Sequence, residues 1–412
     1  MLMMWLLMAL EQPIIAATIA RLPDPEANLA AFGLAFSVAL IIESPVIMLL
    51  MAGTALADDL RSYRLLLRFA ATMAIVVTIV HLATALTPAY ALIMGRLVGA
   101  PEVSIEPGRR ALVMMWGWSG AIAFRRLWQG VMIKHDRTTR VGLTTVARVV
   151  VLVAVCAAGL RLLSLPGAEL GGLALNCAVI AAAIVAYVLV RPTLASMSDD
   201  GGGTPLDYGT LLSFYVPLAL TSFILLGSSP LISVGLSRSP EPVVALALWP
   251  VLLGLLFVFR SPGYAFQEVA VALLGRPGAP PALVRFTRIA AVALSAGLAV
   301  IALTPLADLW LGGVSGLAQP LVDASRGPLL LLTPVPGLTM LAAWARARLV
   351  QQGRTSVITQ AVAVNLVVLA LVMALGLDVL AASASGASIA AVALVVSLGA
   401  ENGWLSWRLR AA

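Results

Sequence analysis

Apolar stretches of about 20 residues, each closed by a short polar break, recur along the whole chain. That is the length a helix needs to cross a bilayer core about 30 Å thick. The pattern predicts spans near 1–20, 29–55, 67–94, 110–133, 141–163, 170–190, 210–236, 243–269, 284–311, 327–350, 356–380 and 385–407, six in each half. The opening run has no basic region ahead of it and continues straight into the first span, so it is read as a helix and not as a signal peptide.

The same pattern repeats, without a gap, at an offset of 217 residues. Pro13, Arg21, Pro23 and Pro25 fall on Pro230, Arg238, Pro240 and Pro242, and Ser44-Pro45 falls on Ser261-Pro262. The run Ala85-Leu86-Thr87-Pro88 falls on Ala302-Leu303-Thr304-Pro305, and Arg137-Thr138 on Arg354-Thr355. Met1 aligns with Leu218, whereas the seventh span begins near Leu211, so the first helix is expected to be short at its N-terminal end. An even number of spans per copy makes both copies enter the membrane from one side, which relates them by a pseudo-twofold axis along the membrane normal. The expected fold is therefore an all-α polytopic membrane protein of twelve transmembrane helices in two six-helix lobes. The N-lobe covers 1–190, a polar, glycine-rich cytoplasmic linker covers 191–209, and the C-lobe covers 210–412.

Composition agrees: 61% of residues are apolar, 11% are charged and the mean hydropathy is +1.02, which excludes a water-soluble globule. The net charge of +7 is a topology signal and not a nucleic-acid footprint. With the N-terminus assigned to the cytoplasm, fifteen Lys and Arg fall in cytoplasmic loops and seven in the opposite set. That asymmetry places both termini inside a plasma or inner membrane. Cys156 and Cys177 lie in apolar spans and read as packing residues, and His81 and His135 are too scattered to hold a metal.

A charge at the centre of a bilayer costs about 2.5–3.5 kcal/mol on insertion scales, so intramembrane charges need partners or a wet cavity. Here they include Glu11, Glu43, Arg125, Arg126, Arg148, Arg260, Glu268 and Glu401. Glu11-Gln12 sits halfway through the first span. Glu43 and Arg260 are repeat mates, each followed by Ser-Pro, so the pseudo-twofold puts opposite charges in equivalent places. They are expected to face one another across the cleft between the lobes, or else to pair each within its own lobe. The mates of Arg125, Arg126 and Arg148 are Ala342, Ala343 and Asn365, so this basic cluster is not part of the shared scaffold. Arginine supplies fixed donors suited to phosphate or carboxylate, which points to an anionic substrate; packing against Glu11 or Glu43 is the other reading. Glu11, Glu43, Glu268 and Glu401 are candidate sites for a coupling H+ or Na+. Pro13, Pro45, Pro230, Pro262, Pro334 and Pro336 are expected to kink their helices, the first four as two mated pairs.

Glu11-Gln12, Asp24, the run from Leu29 to Ser37 (LAAFGLAFS) and Pro45 resemble the first two helices of the progressive ankylosis protein family. Arg109-Arg110-Ala111, Gly130 and Lys134-His135 resemble its fourth helix and the following loop. Leu212-Ser213-Phe214 with Pro217-Leu218-Ala219-Leu220 is similar to its seventh, Thr333-Pro334-Val335-Pro336 to its tenth, and Gly399-Ala400-Glu401 to its last. The resemblance implies the MOP flippase superfamily and a MATE-like arrangement of the lobes. It also implies a function like that of the animal members, which are linked to export of pyrophosphate, ATP and citrate. Glu43, Arg125 and Arg126 depart from the charges expected in those members.

There is no nucleotide-hydrolysis loop: Lys134 is the only lysine and no Gly-Lys-Ser/Thr occurs. Transport is then driven by a gradient. The expectation is a secondary transporter of small multivalent anions of the pyrophosphate, phosphate, citrate or nucleotide type, a monomer working by alternating access without a cofactor or metal. The alternatives are a lipid or lipid-linked glycan flippase, a MATE-type multidrug or cation antiporter, and a major-facilitator transporter. No paired carboxylates or His-rich cluster offers a catalytic site, so an enzyme is not expected.

Overall fold

A computed structural model describes residues 2–199, 206–274, 278–380 and 383–410. The centre of the expected linker (200–205) and Arg276 lie outside the described residues. The chain is all-helical. Its passages are α1 (Trp5–Ile19), α2 (Pro25–Leu56), α3 (Leu60–Leu86), α4 (Glu102–Met114 followed by Trp118–Lys134), α5 (Thr138–Leu162) and α6 (Gly167–Ala195). They continue as α7 (Tyr208–Ser237), α8 (Pro242–Val271), α9 (Ala279–Leu303), α10 (Gln319–Gln351), α11 (Thr355–Leu380) and α12 (Gly386–Arg410). Among the described residues ten of these are long and apolar enough to cross a membrane. The other two are α1, which is short, and α4, whose two segments carry Glu102, Glu106, Arg109, Arg110, Arg125 and Arg126.

The duplication is visible in the backbone. Turns interrupt α1 at Leu10 and α7 at Gly227, which are repeat mates, each three residues before a mated proline (Pro13 and Pro230). Proline removes an amide donor and crowds the carbonyl four residues back, so the helix yields just ahead of it. The break at 115–117 in α4 recurs at 332–334 in α10, formed with Gly117 in one copy and Thr333-Pro334 in the other. Pro45 is followed by a turn at Met48, whereas Pro262 lies in an unbroken helix. Asp24 (φ 51°, ψ 54°) and Glu241 (φ 50°, ψ 57°) hold the same left-handed conformation before Pro25 and Pro242, the first residues of α2 and α8. Pro is pre-shaped for that position. A π-helical turn precedes α4 at Ile93–Val98 and α10 at Leu309–Val314.

Packing follows the same symmetry. Within the halves α5 lies on α6 and α11 on α12, while α2 lies on α4 and α8 on α10. Close approach needs small residues: a Cβ on Gly53 of α2 would lie 2.8 Å from the Leu127 carbonyl of α4. Between the halves α2 packs against α8, with α1 against α8 and α7 against α2 beside it. Gly33 and Pro250, repeat mates on α2 and α8, meet at this seam: a Cβ on Gly33 would be 3.0 Å from the Pro250 ring.

Candidate functional site

Along the contact of α2 and α8 lies a cavity of about 450 Å³ lined by both halves. Five mated pairs on these helices line it: Phe32 with Trp249, Gly33 with Pro250, Phe36 with Leu253, Leu40 with Phe257, and Glu43 with Arg260. The cavity therefore lies on the pseudo-twofold axis.

The structure brings all seven residues expected at the cavity, Glu11, Gln12, Glu43, Arg125, Arg126, Arg148 and Arg260, to its wall. Their pairing is uneven. Arg148 on α5 donates from Nη2 to Glu11 Oε2 on α1 at 2.6 Å, both side chains under a tenth exposed. The Arg148 guanidinium also lies 5.4 Å from the centre of the Trp118 ring. Trp118, the first residue after the break in α4, donates from Nε1 to Glu43 Oε2 at 2.5 Å. Arg260 donates from Nε to Thr339 Oγ1 at 3.1 Å, with its guanidinium 5.6 Å from the Tyr264 ring. Glu43 and Arg260 thus line one cavity, but each is satisfied within its own half. Of the three N-lobe arginines, Arg148 is matched by a carboxylate.

Arg125 and Arg126 are not. Arg125 is 3% exposed and its Nε is buried without a hydrogen-bond partner; the Arg126 Nε is in the same condition. Among the described residues neither forms an ion pair. Glu11 and Glu43 lie close enough to attract both guanidinium groups without touching them. A buried guanidinium with free N–H donors is costly, and it is tolerated where water or a ligand supplies acceptors.

Sharing Leu226, Phe257, Arg260 and Tyr264 with this cavity, a second one of about 490 Å³ extends into the C-lobe. It is lined by Glu268 and Glu401, two of the candidate coupling residues, and by Arg346 and Asn365. Glu401 on α12 is 2% exposed and accepts from Arg346 on α10, and from Asn365 Nδ2 on α11 at 3.0 Å. Glu268 accepts weakly from Trp5 Nε1 at 3.4 Å. Asn365 is the repeat mate of Arg148, so the same position serves a buried carboxylate in both halves. Arg346 and Trp118 are functional neighbours that sequence reasoning missed. Arg346 lies inside an expected span, so its membrane depth was available as a signal; no pattern marked Trp118 as the partner of Glu43.

No family model matches the chain, and no curated protein does. Solved structures do. An inward-facing multidrug resistance MATE family transporter of the MOP superfamily superposes with a TM-score of 0.74 at 14% identity, over 100% of this chain and 94% of that one. The chain shares the fold of that transporter. The inward closed lipid II flippase MurJ superposes with a TM-score of 0.71 at 8% identity, over 98% of this chain and 85% of that chain. A MOP superfamily transporter from Pyrococcus furiosus with a binding pocket of reverse polarity gives 0.65 at 14% identity, over 98% and 96%. The chain is thus a multi-pass membrane protein in the two-lobed MATE arrangement, and these neighbours are transporters rather than enzymes.

Proposed function

We propose that the protein is a secondary transporter of small multivalent anions, of the pyrophosphate, phosphate, citrate or nucleotide type, moved by alternating access between its lobes. One observation carries this reading: Arg125 and Arg126 stand in the central cavity without a direct ion pair among the described residues, while Glu11 and Glu43 are already in contact with Arg148 and Trp118. Six charged residues line the cavity, four Arg and two Glu, an excess of positive charge in a largely apolar enclosure. Such a site favours a ligand that brings negative charge with it. The Pyrococcus furiosus neighbour supports the view that pocket polarity varies on this fold and that substrate follows from the pocket. The resemblance to the progressive ankylosis family supports the same substrate class.

In this reading the lobes are 1–190 and 210–412, joined by 191–209. The protein works as a monomer in the plasma or inner membrane with both termini cytoplasmic, and H+ or Na+ couples through Glu11, Glu43, Glu268 or Glu401. The prolines Pro13, Pro45, Pro230, Pro334 and Pro336 serve as hinges, and Pro262, within an unbroken helix, as a point where α8 can bend. The likeness to a lipid II flippase favours one other reading, a lipid flippase, and the likeness to multidrug MATE transporters favours a cation antiporter. Reconstitution separates the three. Liposomes loaded with pyrophosphate, citrate or ATP are expected to release anion through the wild type, and R125Q/R126Q should abolish that release. Scrambling of a fluorescent lipid, or uptake of an aromatic cation, without anion movement rejects the proposal.

A further inference from the structure

We infer that the central cavity takes an organic anion with one charged head and an aromatic body, the head held by Arg125 and Arg126 and the rings seated on the wall formed by Trp249, Leu253 and Phe257. This inference rests on the anion reading above and narrows its substrate class to the nucleotide type, anions that carry an aromatic body, with pyrophosphate, phosphate and citrate as weaker ligands.

The wall is polarised from one lobe to the other. Of the six charged residues lining the cavity, Glu11, Glu43, Arg125, Arg126 and Arg148 belong to the N-lobe, and Arg260 alone comes from the C-lobe. Arg260 is already committed to Thr339 and to the face of Tyr264. The two copies differ at equivalent places. Positions that are Arg125 and Arg126 in one are Ala342 and Ala343 in the other, while Phe32 and Leu40 are matched by the larger rings of Trp249 and Phe257. Arg125 and Arg126, without a direct ion pair, thus lie on the N-lobe side, and Trp249, Leu253 and Phe257 form a continuous apolar stretch of α8; Phe32, Phe36 and Trp118 add aromatic surface from the N-lobe.

A bare multivalent anion fits this enclosure poorly. Oxygens placed against the α8 stretch of Trp249, Leu253 and Phe257, away from Ser229, Ser233 and Arg260, would be stripped of water against apolar carbons, and an anionic oxygen without a donor pays heavily for burial. An aromatic body on that side turns the same wall into a gain through apolar burial and ring–ring contact. The volume agrees: about 450 Å³ lies in the range of about 300–1,000 Å³ that encloses ligands of drug size, well beyond a diphosphate. A flat cation of similar shape is disfavoured, because it would meet four arginines against two carboxylates, each of which already accepts from Arg148 or Trp118.

The test is equilibrium binding to the purified, full-length protein in nanodiscs by calorimetry, with four probes: 1-naphthyl phosphate, inorganic pyrophosphate, octyl phosphate and 1-naphthylmethylammonium. Wild-type protein is expected to bind 1-naphthyl phosphate at least tenfold more tightly than either pyrophosphate or octyl phosphate, and the ammonium most weakly. W249A and F257A should bring 1-naphthyl phosphate down to the pyrophosphate level and leave pyrophosphate unchanged, whereas R125Q/R126Q should remove both. Pyrophosphate or octyl phosphate equal to 1-naphthyl phosphate, with binding lost in R125Q/R126Q, overturns the aromatic body and spares the anion reading. Preference for the ammonium, indifference to R125Q/R126Q, or no binding of any probe overturns both. The wild-type ranking stands even if a variant fails to fold.

Discussion

Arg21 and Arg238, separated by the repeat offset of 217 residues, reach across the midline to matching places on opposite halves. Arg21 Nη2 donates to the carbonyls of Gly313 and Val314 at 2.9 Å, and Arg238 Nη2 donates to the carbonyl of Leu97 at 2.8 Å. Leu97 and Val314 are themselves repeat mates, each in the π-helical turn before the fourth helix of its half. A helix end leaves carbonyls unpaired, and a guanidinium from the other half satisfies them. Each clamp is exposed and worth about 1 kcal/mol. The R21A/R238A double variant should therefore loosen this face without unfolding the protein. Spin labels at positions 26 and 243, placed by cysteine substitution of the mates Glu26 and Val243, report it. The distance distribution should broaden towards longer values in the double variant and by about half as much in either single one. An unchanged distribution means the clamps do not hold the lobes.

The receiving turns end on glycines for a reason that can be tested separately. Gly99 (φ 76°) and Gly316 (φ 75°) are mates in the left-handed region, where a side chain is strained. A Cβ at Gly316 would also lie 2.9 Å from Arg21 Nη1, while at Gly99 the nearest atom of Arg238 is 3.7 Å away. Both alanine variants carry the backbone strain of about 1 kcal/mol. Gly316→Ala should in addition displace Arg21, so its unfolding temperature in detergent should fall further than that of Gly99→Ala. Equal losses would mean that Arg21 moves aside freely.

Much of this was legible in the sequence because symmetry multiplies weak signals. A single mid-membrane proline says little, but Pro13 and Pro230 recurring at one offset marked two helix breaks, and both appear. The membrane charges at Glu11, Glu43, Arg125, Arg126, Arg148 and Arg260 marked the cavity because an isolated charge in lipid is too costly to be accidental. Their partners were harder to see. Arg148 to Glu11, Trp118 to Glu43 and Arg346 to Glu401 are contacts between helices far apart in the chain, and their pairing depends on helix rotation about axes that hydropathy does not report. Charge sign suggested that Glu43 would meet Arg260, but Trp118 and Thr339 are nearer partners in their own halves.

The Arg148–Glu11 pair makes a prediction about stability. Both side chains are nearly sealed from solvent, so removing one leaves the other charged and uncompensated, at a cost of about 3–5 kcal/mol. Removing both removes the imbalance as well. E11Q and R148M should each lower the thermal unfolding temperature strongly, and E11Q/R148M should lose less than the sum of the two. Additive losses in a double-mutant cycle would show that the pair is not energetically coupled.

In the polar, exposed start of α4, ahead of the membrane span expected over 110–133, Glu106 sits between two arginines and gives a pH dependence of known sign. Its Oε2 accepts from Arg109 Nε and its Oε1 from Arg110 Nε, at 2.8 and 3.0 Å. The bond from Arg109 is the main cause holding the carboxyl down at about 2, against an ordinary 4.5. A lowered carboxyl contributes stability that is complete above its unfolded value and is lost as pH falls towards the folded one. The side chain is half exposed, so solvent screening keeps the contribution to about 1 kcal/mol or less. Wild-type stability should therefore fall between about pH 5 and pH 2 by slightly more than that of E106Q. Parallel curves for the two proteins would remove this cluster from the acid response.

Reversing Glu43 and Arg260 together tests whether the two mates speak to each other at all. Each has its own partner: Glu43 takes the indole proton of Trp118, and Arg260 lies between Thr339 and Tyr264. A direct pair would make E43R and R260E individually damaging and jointly restored. In this arrangement the double swap instead puts an arginine against the Trp118 N–H, a donor facing a donor. It also puts a carboxylate beside the Tyr264 ring face, which repels it. No rescue is expected, so anion release by E43R/R260E should be no better than that of the worse single variant, and W118F should impair release even where both charges are kept. Recovery of at least half the wild-type rate in the double swap would show that the two charges meet during the transport cycle.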